Sequence, residues 1–292
     1  MKKLLLIFLV ICSTKALSQE LDYQPKVLLV TAHPDDDALF SVTVWKTTNL
    51  LRGTVDLALM TNGEGGYKYS TLGNYVYGKE LDNEEVGRDY LPGIRKKELM
   101  AGGDVVGIRN YFFFDQQDFY YTQDIEETLE KWDTPPIIER LKSIIQKENY
   151  DFVFMMLPFD GNHGHHKAAT LLALKAIELM DEKDRPIALL SFVRSPEEEG
   201  MSFVMMEGYP ITKVKPDTIF EFDRNQKFGF DDRLDYNIIA NWVIAEHKSQ
   251  GTMQLLMQGG RVEQYWYSEI NETDGLEKTR QFFEAINAVQ PD

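Results

Sequence analysis

Apolar residues in this chain recur in two periods. Residues 26–32 (KVLLVTA), 55–60 (VDLALM) and 151–157 (DFVFMML) are short, nearly unbroken apolar runs. Runs of that length are too short for core helices and predict strands buried on both faces. Between them the spacing changes to three and four. Residues 94–106 predict a helix carrying Arg95 and Glu98, and Pro135 opens another with Ile137, Ile138, Leu141, Ile144 and Ile145 on one face and Thr134 as its N-cap. From His166 the positions Ala169, Leu172, Leu174, Ile177 and Met180 predict a helix with little exposed face. A last amphipathic helix, with Leu234, Ile238, Trp242 and Val243 inward, leads to His247-Lys248-Ser249-Gln250. A shorter apolar run, Tyr111 to Phe114, adds a further strand. Strand and helix alternating in this way predict an α/β fold, a Rossmann-like three-layer sandwich around a mostly parallel sheet.

Residues 63–92, rich in Gly, Tyr and charge, have no sustained period and read as a long loop. Residues 195–216 are likewise irregular, and the acidic run at 197–199 reads as a solvated stretch. There is no internal repeat and no low-complexity segment. With 292 residues and 43% apolar content, residues 19–292 are expected to form one enzyme-sized domain.

Residues 1–18 differ from the rest. Met1-Lys2-Lys3, an apolar stretch to Cys12, and Ala16-Leu17-Ser18 have the layout of a bacterial secretory signal peptide, which predicts export to the periplasm or beyond the cell. Ile11 is bulkier than the small residue that precedes the cysteine of a lipoprotein signal, which argues against lipidation. Cys12 is the sole cysteine, so the processed chain holds no thiol. Cleavage removes Lys2, Lys3 and Lys15 but no acid, taking the formal charge from −16 to −19. A chain so acidic repels nucleic acid and anionic lipid, and no later segment has the length of a stable membrane span.

The chemistry concentrates at strand ends. The first run ends in His33-Pro34-Asp35-Asp36-Asp37, the second in Thr61-Asn62-Gly63, and the third runs through Pro158-Phe159-Asp160-Gly161 to Asn162-His163-Gly164-His165-His166. Open α/β sheets bind their ligands at that end of their strands. Only five histidines are present, and four lie in these clusters. His33 and Asp36, three apart, can direct two ligands to one point and leave Asp35 spare. Either His163 or His166 can supply a third, leaving the other beside the substrate. A His/carboxylate set suits zinc or iron and leaves a position for water. A spare carboxylate as base and a spare imidazole as acid or oxyanion donor suit amide hydrolysis. Structural alternatives exist for each cluster: Asp35 to Asp37 as helix caps, the histidines as loop hydrogen-bonders.

These residues resemble the PIG-L or LmbE-like zinc de-N-acetylases, whose first motif is Ala-His-Pro-Asp-Asp followed by Glu and whose second is His-x-x-His. Here they read Ala32-His33-Pro34-Asp35-Asp36-Asp37 and His163-Gly164-His165-His166. The resemblance extends to Thr61-Asn62-Gly63, to Arg95-Lys96-Lys97-Glu98 and more loosely to His247-Lys248-Ser249-Gln250, and it covers about residues 26–180. It implies an LmbE-like fold, one zinc per chain or another divalent metal held by His33, Asp36 and His166, Asp35 as general base and His163 as auxiliary acid. It also implies hydrolysis of the acetamide of an N-acetylglucosamine-containing sugar or glycoconjugate, with Arg95 as a substrate clamp. Asp118 could hydrogen-bond sugar hydroxyls and His247 could border the pocket; their structural counterparts are a loop cap and a helix C-terminal cap. Tyr67, Tyr69, Tyr75 and Tyr77 could stack on sugar rings or pack over the sheet edge. Asp37 stands where the family has Glu, and His165 where it often has Asp. Those departures keep open a catalytically impaired, metal-containing carbohydrate-binding protein of the same fold. A non-haem iron oxygenase also uses two histidines and a carboxylate, but it has no role for Asp35.

Overall fold

The computed structural model describes residues 24–195 and 201–291. The expected signal peptide, Cys12 and the acidic run at 197–199 lie outside the described residues.

The three predicted runs form β1 (Lys26–Thr31), β2 (Thr54–Thr61) and, after β3 (Ile108–Gln116), β4 (Phe152–Met156). They are joined by β5 (Ile187–Arg194), β6 (Val214–Asp223), a small hairpin of β7 (Lys227–Phe228) and β8 (Leu234–Asp235), and β9 (Val262–Ser268). The main sheet has the order β3-β2-β1-β4-β5-β9-β6. Its first five members are parallel, and β9 runs antiparallel to both β5 and β6.

Helices cover both faces. On one lie α1 (Ser41–Asn49), α3 (Glu84–Val106), α7 (Asn237–Glu246) and α9 (Gly275–Ala288), packed against Val27, Leu29, Leu57 and Phe154. On the other, α5 (Thr134–Glu148) and α6 (Gly164–Glu178) pack against Leu28, Val30, Val153 and Met155. Successive strand residues thus enter opposite cores, as a period of two requires. This is the expected mostly parallel three-layer sandwich. Shorter helices are α2 (Thr71–Tyr77), α4 (Ile125–Lys131) and α8 (Gly251–Gln254).

Several local expectations are corrected. The stretch expected to be a loop at 63–92 holds a 3-10 turn at Glu64–Tyr69, α2, and the first nine residues of α3. Helix α3 begins ten residues earlier than the spacing predicted and carries Pro92 inside it. Burial of Gly87, Leu91, Arg95, Glu98, Leu99, Gly102, Gly103 and Val106 along one stripe outweighs the missing N–H. Asn83, not a residue near Ile94, caps it, its side chain accepting the Val86 N–H at 3.2 Å. Thr134 is the first residue of α5 rather than its cap, which is Asp133. In α7 the buried residues are Ile239, Ala240, Val243 and Ile244, while Trp242 is 55% exposed and Leu234 belongs to β8. The helix starts only at Asn237, so Leu234 does not share its phase.

The chain turns to opposite sides of β1 to form β2 and β4. The two ligand-bearing loops therefore leave adjacent strands at the point where the sheet order reverses, where doubly wound sheets open a crevice.

Candidate metal centre and active site

The first loop is held by its own backbone. Thr61, at the end of β2, donates its N–H (3.0 Å) and its Oγ1 hydroxyl (2.7 Å) to the Ala32 carbonyl. The chain then folds back so that Asp36 Oδ2 accepts the N–H groups of Ala32 (2.9 Å) and His33 (2.8 Å). That leaves Asp36 Oδ1 to face the histidines. A short 3-10 turn, Asp36–Leu39, follows, and α1 begins two residues later.

The second loop ends at α6, whose N-cap is His163: its Nδ1 accepts the His165 N–H at 3.1 Å. Asn162 organises the rest. Its Nδ2 donates to the Leu157 carbonyl (2.8 Å), while its Oδ1 accepts the His163 N–H (2.8 Å) and lies 2.7 Å from His166 Nδ1. With the proton of His166 on Nδ1, the lone pair is on Nε2. A carbonyl-type partner fixing a ligand histidine in this way is the usual outer support of a metal site. Asn162 was missed as a functional residue in the sequence, although an amide four residues before a histidine at a helix start is a readable signal.

The structure brings His33, Asp36 and His166 together. His33 Nδ1 is 2.9 Å from His166 Nε2, His166 Nε2 is 3.2 Å from Asp36 Oδ1, and His33 Nδ1 is 3.8 Å from Asp36 Oδ2. Ligand atoms about 2.0–2.1 Å from a tetrahedral ion stand roughly 3.3 Å apart, so the donor set fits a divalent metal in type and spacing. His33, His163 and His165 form a second convergent group that shares His33. Burial works to raise the Asp36 pKa, but the imidazoles of His166 and His33 outweigh it and hold the carboxyl well below the ordinary range. Burial works to lower His33, and Asp36, Asp118 and Asp35 outweigh it and raise it. His163 is pushed down to about 2, chiefly by burial and then by neighbouring His33 and His166. His165 is lowered for the same reasons.

A shell of buried charge lies around this group. Asp35 Oδ1 accepts from Arg95 Nη2 at 2.7 Å, and Arg95 Nη1 donates to the Gly63 carbonyl at 2.7 Å. Gly63 has φ +74°, and a Cβ there would stand 2.7 Å from that guanidinium, so the turn requires glycine. Arg95 is only 3% exposed and does not pair with Glu98, which instead accepts from the Ser249 N–H (2.8 Å), the Ser249 hydroxyl (2.6 Å) and the Tyr77 hydroxyl (2.6 Å). Asp118 is buried, with Oδ2 4.0 Å from Arg95 Nη1 and Oδ1 3.6 Å from His165 Nδ1. His247 is buried with Nε2 2.7 Å from Asp37 Oδ1. Of the four tyrosines considered for stacking, Tyr77 is engaged by Glu98, Tyr67 lies beneath the Arg88 guanidinium, and Tyr69 and Tyr75 are exposed.

The chain is similar to known proteins. The family model of PIG-L, described as GlcNAc-PI de-N-acetylase, matches residues 28–177, a little over half of the chain. A probable N-acetyl-α-D-glucosaminyl L-malate deacetylase 2 of Bacillus cereus is 28% identical over 162 residues, which are 55% of this chain and 64% of that protein. The chain thus spans a little under two thirds of that relative's length. Among solved structures, a triple mutant of a deacetylase of the teicoplanin biosynthetic pathway aligns with a TM-score of 0.53 at 14% identity, covering 83% of this chain and 97% of that one. The 4-carboxy-2-hydroxymuconate hydratase of Pseudomonas putida aligns at 0.52 and 14% identity, covering 85% and 98%. At such identities the structural likeness speaks for the fold alone, and these two share it while bearing names of different reactions. Taken with the family match over residues 28–177 and both ligand loops within it, the chain belongs to the PIG-L, GlcNAc-PI de-N-acetylase, family.

Proposed function

We propose that the protein is an exported, zinc-dependent hydrolase that removes the N-acetyl group from an N-acetylglucosamine-containing sugar or glycoconjugate. The observation that carries this reading is the convergence of His33, Asp36 and His166 beside Asp35, a carboxylate left outside the ligand set and anchored at one oxygen by Arg95. Family membership and the Bacillus cereus relative's name support the acetamide of an amino sugar as the bond attacked.

His33, Asp36 and His166 would hold a divalent ion, which would supply Lewis acidity and make the attacking water more acidic. Asp35, held at Oδ1 by Arg95, takes the proton of the attacking water. As the carbon–oxygen bond forms, negative charge grows on the carbonyl oxygen. His163 accepts the His165 N–H at Nδ1, so as a neutral imidazole it keeps its proton on Nε2, and that N–H is assigned to the growing oxyanion. The carbon–nitrogen bond then breaks, the leaving nitrogen receives the proton that Asp35 took, and the products are a free amine and acetic acid, which gives up its proton to solvent as acetate. Arg95 and His247, expected to meet substrate, act in this reading through Asp35 and Asp37, and Asp118, also expected to meet substrate, is buried close to Arg95.

The alternative, a metal-containing carbohydrate-binding protein, draws on His165, which departs from the family pattern. It gives Asp35 no task. The test is metal content of the purified processed protein together with acetate release from N-acetylglucosamine mono-, oligo- and lipid-linked substrates. The hydrolase reading expects about one zinc per chain and acetate release that a chelator abolishes and zinc restores. Bound zinc with no acetate from any substrate would favour the binding protein, and no bound metal would reject both.

A further inference from the structure

We infer that His165 is a positioning residue of the metal centre, a neutral imidazole acceptor that holds ligand His33 in the one tautomer able to bind metal. The inference rests on the metal reading above. His33 turns Nδ1 toward His166 and Asp36 and turns Nε2 toward His165 Nδ1, 3.0 Å away. A neutral imidazole has one proton. If His33 offers a lone pair at Nδ1, its proton is on Nε2, and the atom that can accept it is His165 Nδ1. The reverse arrangement, with His165 donating, would put the His33 proton on Nδ1 and block that position.

His165 is built to stay where it is. It is fully buried, in edge contact with the Phe119 ring (4.5 Å between centroids) and against the Trp132 ring (5.3 Å), and its backbone N–H is tied to His163 Nδ1. Accepting at Nδ1 places its own proton on Nε2, a buried atom with no hydrogen-bond partner among the described residues. An apolar residue would fill the same space without that unpaired donor, so packing alone does not account for an imidazole here. Asp118 Oδ1, 3.6 Å from His165 Nδ1, lies beyond hydrogen-bond range, which leaves His33 as the close partner of that nitrogen. Metal ligands commonly lean on a carboxylate or carbonyl. Here His166 leans on the Asn162 amide and His33 on a second imidazole.

The test is competitive zinc titration of the full processed protein and two variants, with 15N-imidazole NMR of the wild type. His165→Asn keeps an acceptor near the Nδ1 position; His165→Leu keeps bulk and removes it. The Leu variant should bind zinc about 10–100-fold more weakly, and the Asn variant should stay close to wild type. Equal zinc affinity in the Leu variant overturns the inference, as does an equal loss in both variants, which would mark simple packing. Two zinc ions per wild-type chain falling to one in both variants would make His165 a ligand and overturn it too. The NMR spectrum needs no variant to fold: zinc-bound wild type should show His33 with its proton on Nε2 and a metal-shifted Nδ1, and a His33 that keeps its proton on Nδ1 overturns the inference. A wild-type chain that binds no zinc rejects the metal reading itself, a separate result.

Discussion

The parallel half of the sheet and its antiparallel edge do different work. The loops that follow β1 and β4 carry the groups proposed to meet metal or substrate: His33, Asp35, Asp36, His163 and His166. The C-terminal part, beyond the family match, carries groups that hold the first of those loops and α3 from behind. His247 meets Asp37, and Ser249 meets Glu98. Arg224, at the end of β6, donates to the carbonyls of Ala38 (2.8 Å) and Leu39 (3.2 Å) and pairs with Glu263 of β9. Glu263 in turn accepts the N–H groups of Val42 (2.9 Å) and Thr43 (3.0 Å) at the start of α1, where a carboxylate both satisfies free donors and complements the helix dipole. The lesson is a division of labour. One region supplies the chemistry on short loops at a sheet crevice, and the other supplies buried charge that fixes where the first of those loops stands.

Substitutions on the two sides should differ in kind, and the largest effect belongs to the chemical side. Asp35→Asn should lose about 10²–10⁴-fold in turnover while keeping its zinc, checked by acetate release against metal content; near-normal turnover would remove Asp35 from the mechanism. His247→Ala, one step behind, should lose about tenfold in turnover or metal affinity because Asp37 is left buried without its partner. Burial already raises the Asp37 pKa against the pull of His247, so the variant's Asp37 should be protonated.

Glu263→Ala should act on stability more than on chemistry, costing about 3–5 kcal/mol by stranding the buried Arg224 charge. Denaturant unfolding measures it, and turnover per folded molecule should change less than in His247→Ala. A loss under about 1 kcal/mol would mean that the antiparallel edge does not hold the site. The smallest effect concerns Lys46 of α1, whose ammonium lies against the Phe222 and Tyr236 rings and donates to Gln226 Oε1. Burial lowers its pKa from 10.5 to about 8. Between those values the unfolded chain keeps the proton and the folded chain releases it, so stability from this group rises with pH across the window and the full penalty stands below it. Lys46→Met should flatten that rise, measured as Tm at pH 8 and pH 10 for both proteins. An unchanged slope would show that this lysine keeps its charge when folded.

How much of this was legible varies by element. Strands β1, β2 and β4 announced themselves because a strand buried on both faces must be apolar at nearly every position. Strand β5 (IALLSFVR) carries the same signal. Strand β9 (VEQYWYS) gave none, since it buries Glu263, Gln264 and Ser268 on polar partners rather than on apolar ones. Helix α3 was cut short at Pro92, because a local rule about proline cannot see the burial that overrides it.

The sequence by itself determined the fold class, the two motif loops and the residue types of the metal set, because strand burial and ligand chemistry are both written in residue identity and short spacing. It could not place Arg95 under Asp35, His247 under Asp37, Glu263 beneath α1 or His165 behind His33. Those pairs lie 60, 210, about 220 and 132 residues apart. Only the closing of the sheet brings them together, and whether a buried charge or imidazole is stable there depends on the partner that tertiary structure delivers.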